Sequence, residues 1–249
     1  VDESGFFAAL VSSKKKLSYT YSVEKVNGEV TEYTDPYAFA NVTKPEDYKA
    51  FLAGEEKNAA HIFGAHERTV NGVKGVLFTV WAPKALSVSV VGEFNKYDGR
   101  VHLMEKIGDT GVFELFIPGL AAGCGYMYEI KRQGKGTTRK LDPVSRQISS
   151  VPIIASVVSD ENMPDSYAWN DGLWMIKRKK EAGKKKPVTV YEVSLTDWLK
   201  EKSADELVDF VKQEGYTHVC FLPVAEYLNE EMNGYSTLGY FAVTHRTGG

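Results

Sequence analysis

Pro187-Val188-Thr189-Val190-Tyr191-Glu192-Val193, then Ser203-Ala204-Asp205-Glu206-Leu207, then His218-Val219-Cys220-Phe221-Leu222-Pro223-Val224, read in that order as strand, helix and strand. The first run is short and β-branched, the composition of a strand buried in a parallel sheet. Ser203 with Glu206 three residues on is a capping box, in which hydroxyl and carboxylate satisfy orphan amides at a helix start. Leu207, Phe210 and Val211 recur at helical spacing, and Gly215 stands where the helix must stop in a left-handed turn. The third run is a second buried strand. Together they make one right-handed crossover unit of a parallel sheet, so the stretch from 188 reads as the opening of a TIM (β/α)8 barrel. A whole barrel takes eight strands and roughly 250 residues. Gly249 closes the sequence after two strands, and the expectation is that the rest of the barrel lies beyond it.

Working outward, the chain's 249 residues are 43% hydrophobic, enough for packed cores and too much for a disordered protein. The net charge of −3 argues against a general polyanion binder. No apolar run is long enough to span a membrane, and no signal peptide is present, so a cytoplasmic location is expected. Cys124 and Cys220 lie in apolar surroundings and read as buried free thiols rather than a disulfide. His61, His66, His102, His218 and His245 are scattered at no ligand spacing, and no glycine-rich phosphate loop joins a strand to a helix. Neither a metal nor a cofactor is expected. Gly123-Cys124-Gly125 reads as a hairpin turn. The basic run Lys177 to Pro187 has no aromatic residue among its lysines, so it reads as a solvated linker rather than a nucleic-acid site.

A repeat is hidden in the first two thirds. Asp109 to Ile117 is followed by Tyr126-Met127-Tyr128-Glu129-Ile130 and by Asp142-Pro143; Glu3 to Val11 is followed by Tyr19-Thr20-Tyr21-Ser22-Val23 and by Asp35-Pro36. The Tyr-X-Tyr pairs and the Asp-Pro pairs share one offset of 107 residues, and the Gly-X-Phe runs before them differ from it by one. Two copies of one β-module explain this most simply. The second copy opens with Gly75 to Pro83, where Val76, Phe78 and Val80 face one way, and continues with Ser87 to Gly92, where Val88 and Val90 do. Short alternating strands punctuated by Gly, Asn, Asp and Pro spell an antiparallel, immunoglobulin-like sandwich. Glu46 to His61 reads as helical, with Tyr48, Phe51 and Leu52 on one side. The resulting plan is a partial first sandwich over 1–45, a helical connector over 46–62, a complete sandwich over 63–160, a linker over 161–187 and the barrel start over 188–249. Val1 in place of methionine suggests a start further upstream.

These stretches form a series that resembles the 1,4-α-glucan (glycogen) branching enzymes of the α-amylase superfamily. The series runs Gly64-Ala65-His66, Val80-Trp81-Ala82-Pro83, Val90-Val91-Gly92-Glu93-Phe94-Asn95, Asp98-Gly99 and Phe113 to Gly119. It continues through Tyr191-Glu192-Val193, Gly215 to Val219, Leu222 to Glu226, Gly234-Tyr235 and Gly239 to Ala242. Tandem amino-terminal sandwiches occur in bacterial members and would account for the repeat. The resemblance implies cleavage of an α-1,4 linkage and transfer of the freed glucan chain to an α-1,6 position with retention. Such chemistry needs a carboxylate nucleophile and a carboxylic acid/base. In the family these follow the fourth and fifth barrel strands, with a third acid after the seventh. No catalytic residue is therefore expected in this sequence, and the stretch is expected to be inactive alone. A debranching or trehalose-releasing relative, or a non-catalytic carbohydrate-binding or interaction protein, are the alternatives.

Glu192 and Glu226 are expected near the carboxyl ends of adjacent parallel strands, on the face where barrels keep their chemistry, and would pass for an acid/base pair. The resemblance assigns catalysis elsewhere, and a strand-end glutamate more often bonds a neighbouring loop. Tyr235 matches the tyrosine that in α-amylase relatives stacks on the sugar ring at the cleavage point. Around it the sequence departs from the family: Ser236 replaces a glutamine, Ser194 a histidine, and Thr196-Asp197 a Gly-Ser pair before Trp198. In the sandwich, Tyr97 takes the place of a sugar-binding tryptophan, Met127 that of a lysine, and Lys131 to Thr138 offers no second aromatic. Trp81 reads as core. Tyr235 and Tyr97 are the candidate substrate-binding residues, the expected partner is an α-glucan, and neither nucleic acid nor membrane is expected. Self-association would be one way to cover the open barrel.

Overall fold

A computed structural model describes residues 7–14, 17, 19–149, 153–160 and 168–248. The amino-terminal strand expected over Glu3 to Val11 lies partly outside these residues, and the described part, 7–11, is exposed and belongs to no strand. The first pair of strands is the hairpin β1 (Tyr21–Glu24) and β2 (Val30–Tyr33), antiparallel. The segment after it straps itself across the next module rather than forming one long helix. A 3₁₀ turn, Pro45–Tyr48, runs into a single helical turn, α1 (Lys49–Leu52), and a further 3₁₀ turn spans Ala59–His61. Gly54, at φ +75°, ends α1 in the left-handed region, and the amides of Glu55 and Glu56 close back on the Ala50 carbonyl. Tyr48 is fully buried and stacks on Phe63, while Leu52, expected beside it, is 47% exposed.

Two sheets follow. The strands are β3 (Gly64–Val70), β4 (Val73–Trp81), β5 (Ser87–Val91), β6 (Glu105–Lys106), β7 (Val112–Pro118), β8 (Gly125–Arg132), β9 (Lys135–Lys140), β10 (Ile148–Ser149) and β11 (Ala155–Val157). One sheet has the order β3-β4-β7-β6; the other runs β10-β11-β8-β5, with β9 also on β8. Val76, Phe78 and Val80 of the first sheet meet Val88, Val90, Tyr126 and Tyr128 of the second in one buried core. The link Gly123-Cys124-Gly125 is not a hairpin turn, since β7 and β8 lie in different sheets. It carries the chain from one sheet to the other and is tied to the Val158 backbone by two hydrogen bonds.

A simple inward/outward alternation fails on β4 and β7, because their outer face is also covered. Leu77, Thr79, Val112, Glu114 and Phe116 are all buried. The strap does this: Phe39 packs edge-on against Phe116 at 4.8 Å, and the Glu114 carboxylate accepts from the amides of Val42 and Thr43 and from the Thr43 hydroxyl. The Tyr37 hydroxyl accepts from the Leu103 amide at 2.8 Å. Trp81 lies at the margin, 46% exposed and edge-on to Phe51 at 5.3 Å, so it is half core rather than core. Cys124 is likewise half-buried and Cys220 exposed, which corrects the expectation that both thiols are buried.

The repeat is visible as geometry. Tyr21 pairs with Tyr33, Ser22 with Glu32, Val23 with Thr31 and Glu24 with Val30; 107 residues on, Tyr128 pairs with Lys140, Glu129 with Arg139, Ile130 with Thr138 and Lys131 with Thr137. β1–β2 is thus β8–β9 in the same register.

Beyond the sandwich, helix α2 (Gly172–Glu181) occupies ground read from sequence as linker. Then come β12 (Val190–Val193), one helical turn α3 (Leu195–Trp198), α4 (Ala204–Gln213), β13 (His218–Phe221) and the hairpin β14 (Ala225–Tyr227) with β15 (Thr237–Val243). The capping box forms: the Glu206 amide donates to the Ser203 hydroxyl at 3.2 Å and the Ser203 amide to the Glu206 carboxylate at 2.7 Å. Gly215 follows at φ +76°. β12 and β13 pair in parallel with α4 as the crossover, and Val193, Leu207 and Val211 are the buried contact between them. The two strands are not buried, contrary to the sequence reading: Val190 is 53% and Phe221 46% exposed. A parallel strand is buried only when both faces are covered, and among the described residues α3 and α4 cover one.

Candidate functional site

The carboxyl ends of β12 and β13 open onto three loops: 194–200, 222–224 and the tip of β14–β15. Asn233 and Gly234 both adopt positive φ there, turning the chain so that Tyr235 stands 64% exposed at the tip. Its amide donates to the Met232 carbonyl, and the Leu228 amide to that of Ser236, so the tip is held by its own backbone.

The base of this hairpin is locked by Glu226, which is 1% exposed. Its carboxylate accepts from the His245 amide at 3.0 Å, the His245 ring at 2.8 Å, the Arg246 guanidinium at 2.8 Å and the Tyr227 amide at 3.1 Å. Burial pushes its pKa up, but the hydrogen bonds from His245 and Tyr227 outweigh burial and hold it below the ordinary glutamate value. Arg246 also lies over the Tyr227 ring, 4.2 Å from its centre. A carboxylate with so many donors is kept ionised and has no proton to give. Glu192 is exposed on β12, opposite Cys220 of β13, whereas Glu226 lies in a different sheet. The two do not sit on adjacent parallel strands, and the acid/base appearance of the pair dissolves.

The second site lies on the sandwich. After β5 the chain makes a 3₁₀ turn, Glu93–Asn95, pinned by the buried Asn95 side chain: its oxygen accepts from the Gly92 amide at 3.0 Å, and its nitrogen donates to the Val90 carbonyl at 2.9 Å. The same nitrogen lies 2.9 Å from the His102 ring, whose pKa burial depresses. Lys96 and Tyr97 are then both left-handed, at φ 55° and 58°, an uncommon conformation for non-glycine residues, and Tyr97 is half-buried. Arg139 lies against this ring, 5.7 Å from its centre, and donates to the Tyr97 carbonyl at 2.9 Å. Tyr97 borders a groove of about 610 Å³ lined also by Phe94, Cys124, Gln147, Ser149 and Ile153. Met127 is half-buried opposite Val91, where the family pattern has a lysine. Tyr97 and Tyr235 therefore belong to separate places in the molecule. Gln147, Ser149 and Ile153 carried no sequence signal, because the fold alone brings them to the Tyr97 turn.

Among the described residues no group of three or more His, Cys, Asp or Glu could hold a metal ion, and no helix is long and apolar enough to cross a membrane.

Known proteins match this picture. The family of carbohydrate-binding module 48 (isoamylase N-terminal domain) matches residues 62–145, which hold the sandwich strands β3 to β9. A 1,4-alpha-glucan branching enzyme of Methylococcus capsulatus is 40% identical over 231 residues, covering 89% of this chain and 31% of the relative. One from Nitrosococcus oceani is 39% identical over 247 residues, covering 94% of this chain and 32% of the relative. In fold, a pullulanase from Bacillus acidopullulyticus superposes with a TM-score of 0.50 at 21% identity, over 74% of this chain and 25% of that one. The chain thus spans about a third of the length of the curated relatives it matches. With a match to carbohydrate-binding module 48 at 62–145 and 40% identity to a branching enzyme over 89% of its length, this chain is similar to about a third of a 1,4-α-glucan branching enzyme.

Proposed function

We propose that this chain is the amino-terminal part of a 1,4-α-glucan branching enzyme of glycogen synthesis, acting in the cytoplasm on an α-glucan. The observation that carries this is the 40% identity to a branching enzyme over 89% of the chain, across sandwich and barrel segment alike. Under this reading residues 63–160 are a glycogen-binding type of sandwich and residues 188–249 the opening of the catalytic barrel. The whole enzyme would break an α-1,4 bond through a carboxylate nucleophile and rejoin the chain at an α-1,6 position. The carboxylates for those steps are not among the residues of this chain, whose two tempting candidates are an exposed Glu192 and a fully engaged Glu226. The chain's own contribution is to hold glucan. Tyr235 offers an aromatic face to a sugar ring at the barrel end of the molecule, and Tyr97 offers another at the sandwich. Arg139 already occupies part of the Tyr97 surroundings, which leaves Tyr235 the freer platform. The open faces of β12 and β13 call for cover, which a second copy of the chain could supply.

An iodine-stain assay on amylose tests the enzymatic half of this reading. The 249-residue chain is expected to leave the amylose–iodine colour unchanged. A robust loss of colour would show branching by these residues alone and sink the claim that they are inactive.

A further inference from the structure

We propose that a basic pocket at the side of the sandwich binds a phosphate group carried on a small molecule, a phosphomonoester. The pocket measures about 240 Å³. Its walls come from β3, from the turn before β10 and from the residues that follow β11. β3 is the edge strand of one sheet and β10 that of the other. The groove beside Tyr97 shares only Val157 with it.

Local structure gathers the cations there. Side chains alternate along a strand, so His66 and Arg68 share one side of β3. Glu67 takes the other side, where its carboxylate accepts from the Ala122 amide at 3.1 Å. His66 Nε2 lies 3.0 Å from the Phe63 carbonyl, and Arg68 donates to the Glu67 carbonyl at 2.9 Å. The last 3₁₀ turn of the strap adds His61. Arg146 comes from a turn held by two bonds: the Val144 amide donates to Asp142 at 2.9 Å, and the Ser145 hydroxyl donates to the Gln147 carbonyl at 2.7 Å. Gly64 lets β3 and this turn approach, since a Cβ there would meet the Val144 side chain at 3.3 Å.

The lining is rich in donors and poor in acceptors. Two arginines and two histidines meet a single carboxylate at the pocket wall, Asp160. With both imidazoles neutral, the two guanidinium groups still leave one positive charge over. Asp142 does not offset it at the surface, being 1% exposed and engaged by Tyr126, Tyr128 and the Val144 amide. A guanidinium has five N–H donors in a planar fork, so it can hold a protein partner and a phosphate together. Edge strands are often guarded by a charged side chain, which would account for Arg68 alone. It does not account for His61 and Arg146, which two other elements bring to the same place. The volume lies below the roughly 300–1,000 Å³ of pockets for drug-sized ligands, which suits a phosphate with a small attached group rather than a whole nucleotide.

The test is a titration of the ¹⁵N-labelled 249-residue chain with inorganic phosphate and, separately, with glucose 6-phosphate, at an ionic strength fixed with sodium chloride. Both are expected to shift the amides of 61–68, 144–146 and 159–160. Arg68→Gln and Arg146→Gln should each weaken that response about tenfold, the loss of a charge-assisted bond to phosphate. Both side chains are exposed, so neither change opens a core. Arg132→Gln removes the same charge from an exposed position outside the pocket and should leave the response as it was. Equal affinity for the two probes assigns the site to the phosphate group alone, and tighter glucose 6-phosphate binding extends it to the attached sugar. A response to inorganic phosphate but none to glucose 6-phosphate would overturn the phosphomonoester site. So would an absence of shifts in those residues, shifts that sodium chloride alone reproduces, or an equal loss in Arg132→Gln.

Discussion

Tyr126 and Tyr128 donate to one oxygen of Asp142 at 2.7 and 3.1 Å, and Tyr19 and Tyr21 donate to one oxygen of Asp35 at 2.7 and 3.4 Å. The ring pairs match too, with centroids 5.7 and 5.4 Å apart. What differs is burial: Tyr126 and Asp142 are 1% exposed, Tyr19 41%. Identical bonds should therefore carry different weights. Tyr126→Phe strips a donor from a buried carboxylate and should cost about 1–3 kcal/mol in urea unfolding. Tyr19→Phe leaves Asp35 to water and should cost under about 0.5 kcal/mol. Glu226 yields a pH prediction of definite sign. Its pKa is lower folded than the ordinary 4.5, so its contribution is present above that value and is lost as pH falls through the depressed one. Glu226→Gln should weaken the β14–β15 amides by about 3 kcal/mol in hydrogen exchange at neutral pH and flatten their sensitivity to acid. An unchanged acid profile in that variant would remove Glu226 from the account.

Among the elements, those set by local chemistry were legible and those set by distant contacts were not. The Ser203–Glu206 box and Gly215 fix the ends of α4 from within a few residues, and both stand where the sequence put them. Ser203→Ala should cost α4 and the strands it packs on about 1 kcal/mol. The strap is the opposite case. Glu46 to His61 carries helical spacing, yet the chain breaks at Gly54 because Tyr48, Phe51 and Phe63 gain more by packing on the outer sheet than a longer helix would. Nothing near Glu114 in sequence says that residues 42 and 43 will reach its carboxylate. Glu114→Ala leaves the Val42 and Thr43 amides without that acceptor and should cost about 2 kcal/mol, with exchange rising first in the strap. For the same reason Tyr97 could be named from the sequence as a candidate, whereas Gln147 and Ile153, brought beside it because β10 and β11 join the sheet that holds β5, could not.

For the molecule as a whole, the sandwich is closed and the β12–β13 unit open. The sandwich buries residues from both sheets in one core, whereas β12 and β13 keep one face bare and Tyr240 is 86% exposed. The two parts touch where Ile148 of β10 packs on the Gly239 backbone, so closely that any added Cβ would meet the isoleucine side chain at 2.5 Å. Limited proteolysis of a verified monomer should cut within 188–248 well before 70–145. Equal protection would mean that the open faces need no cover. The proposed function and the candidate residues Tyr97 and Tyr235 make one claim together, that this chain holds α-glucan without cutting it. Native electrophoresis through gels containing amylose or glycogen measures this directly. The account predicts a chain retarded by glucan, with retardation reduced in Tyr97→Ala and Tyr235→Ala and nearly lost in the double variant. Mobility unchanged by glucan would contradict it.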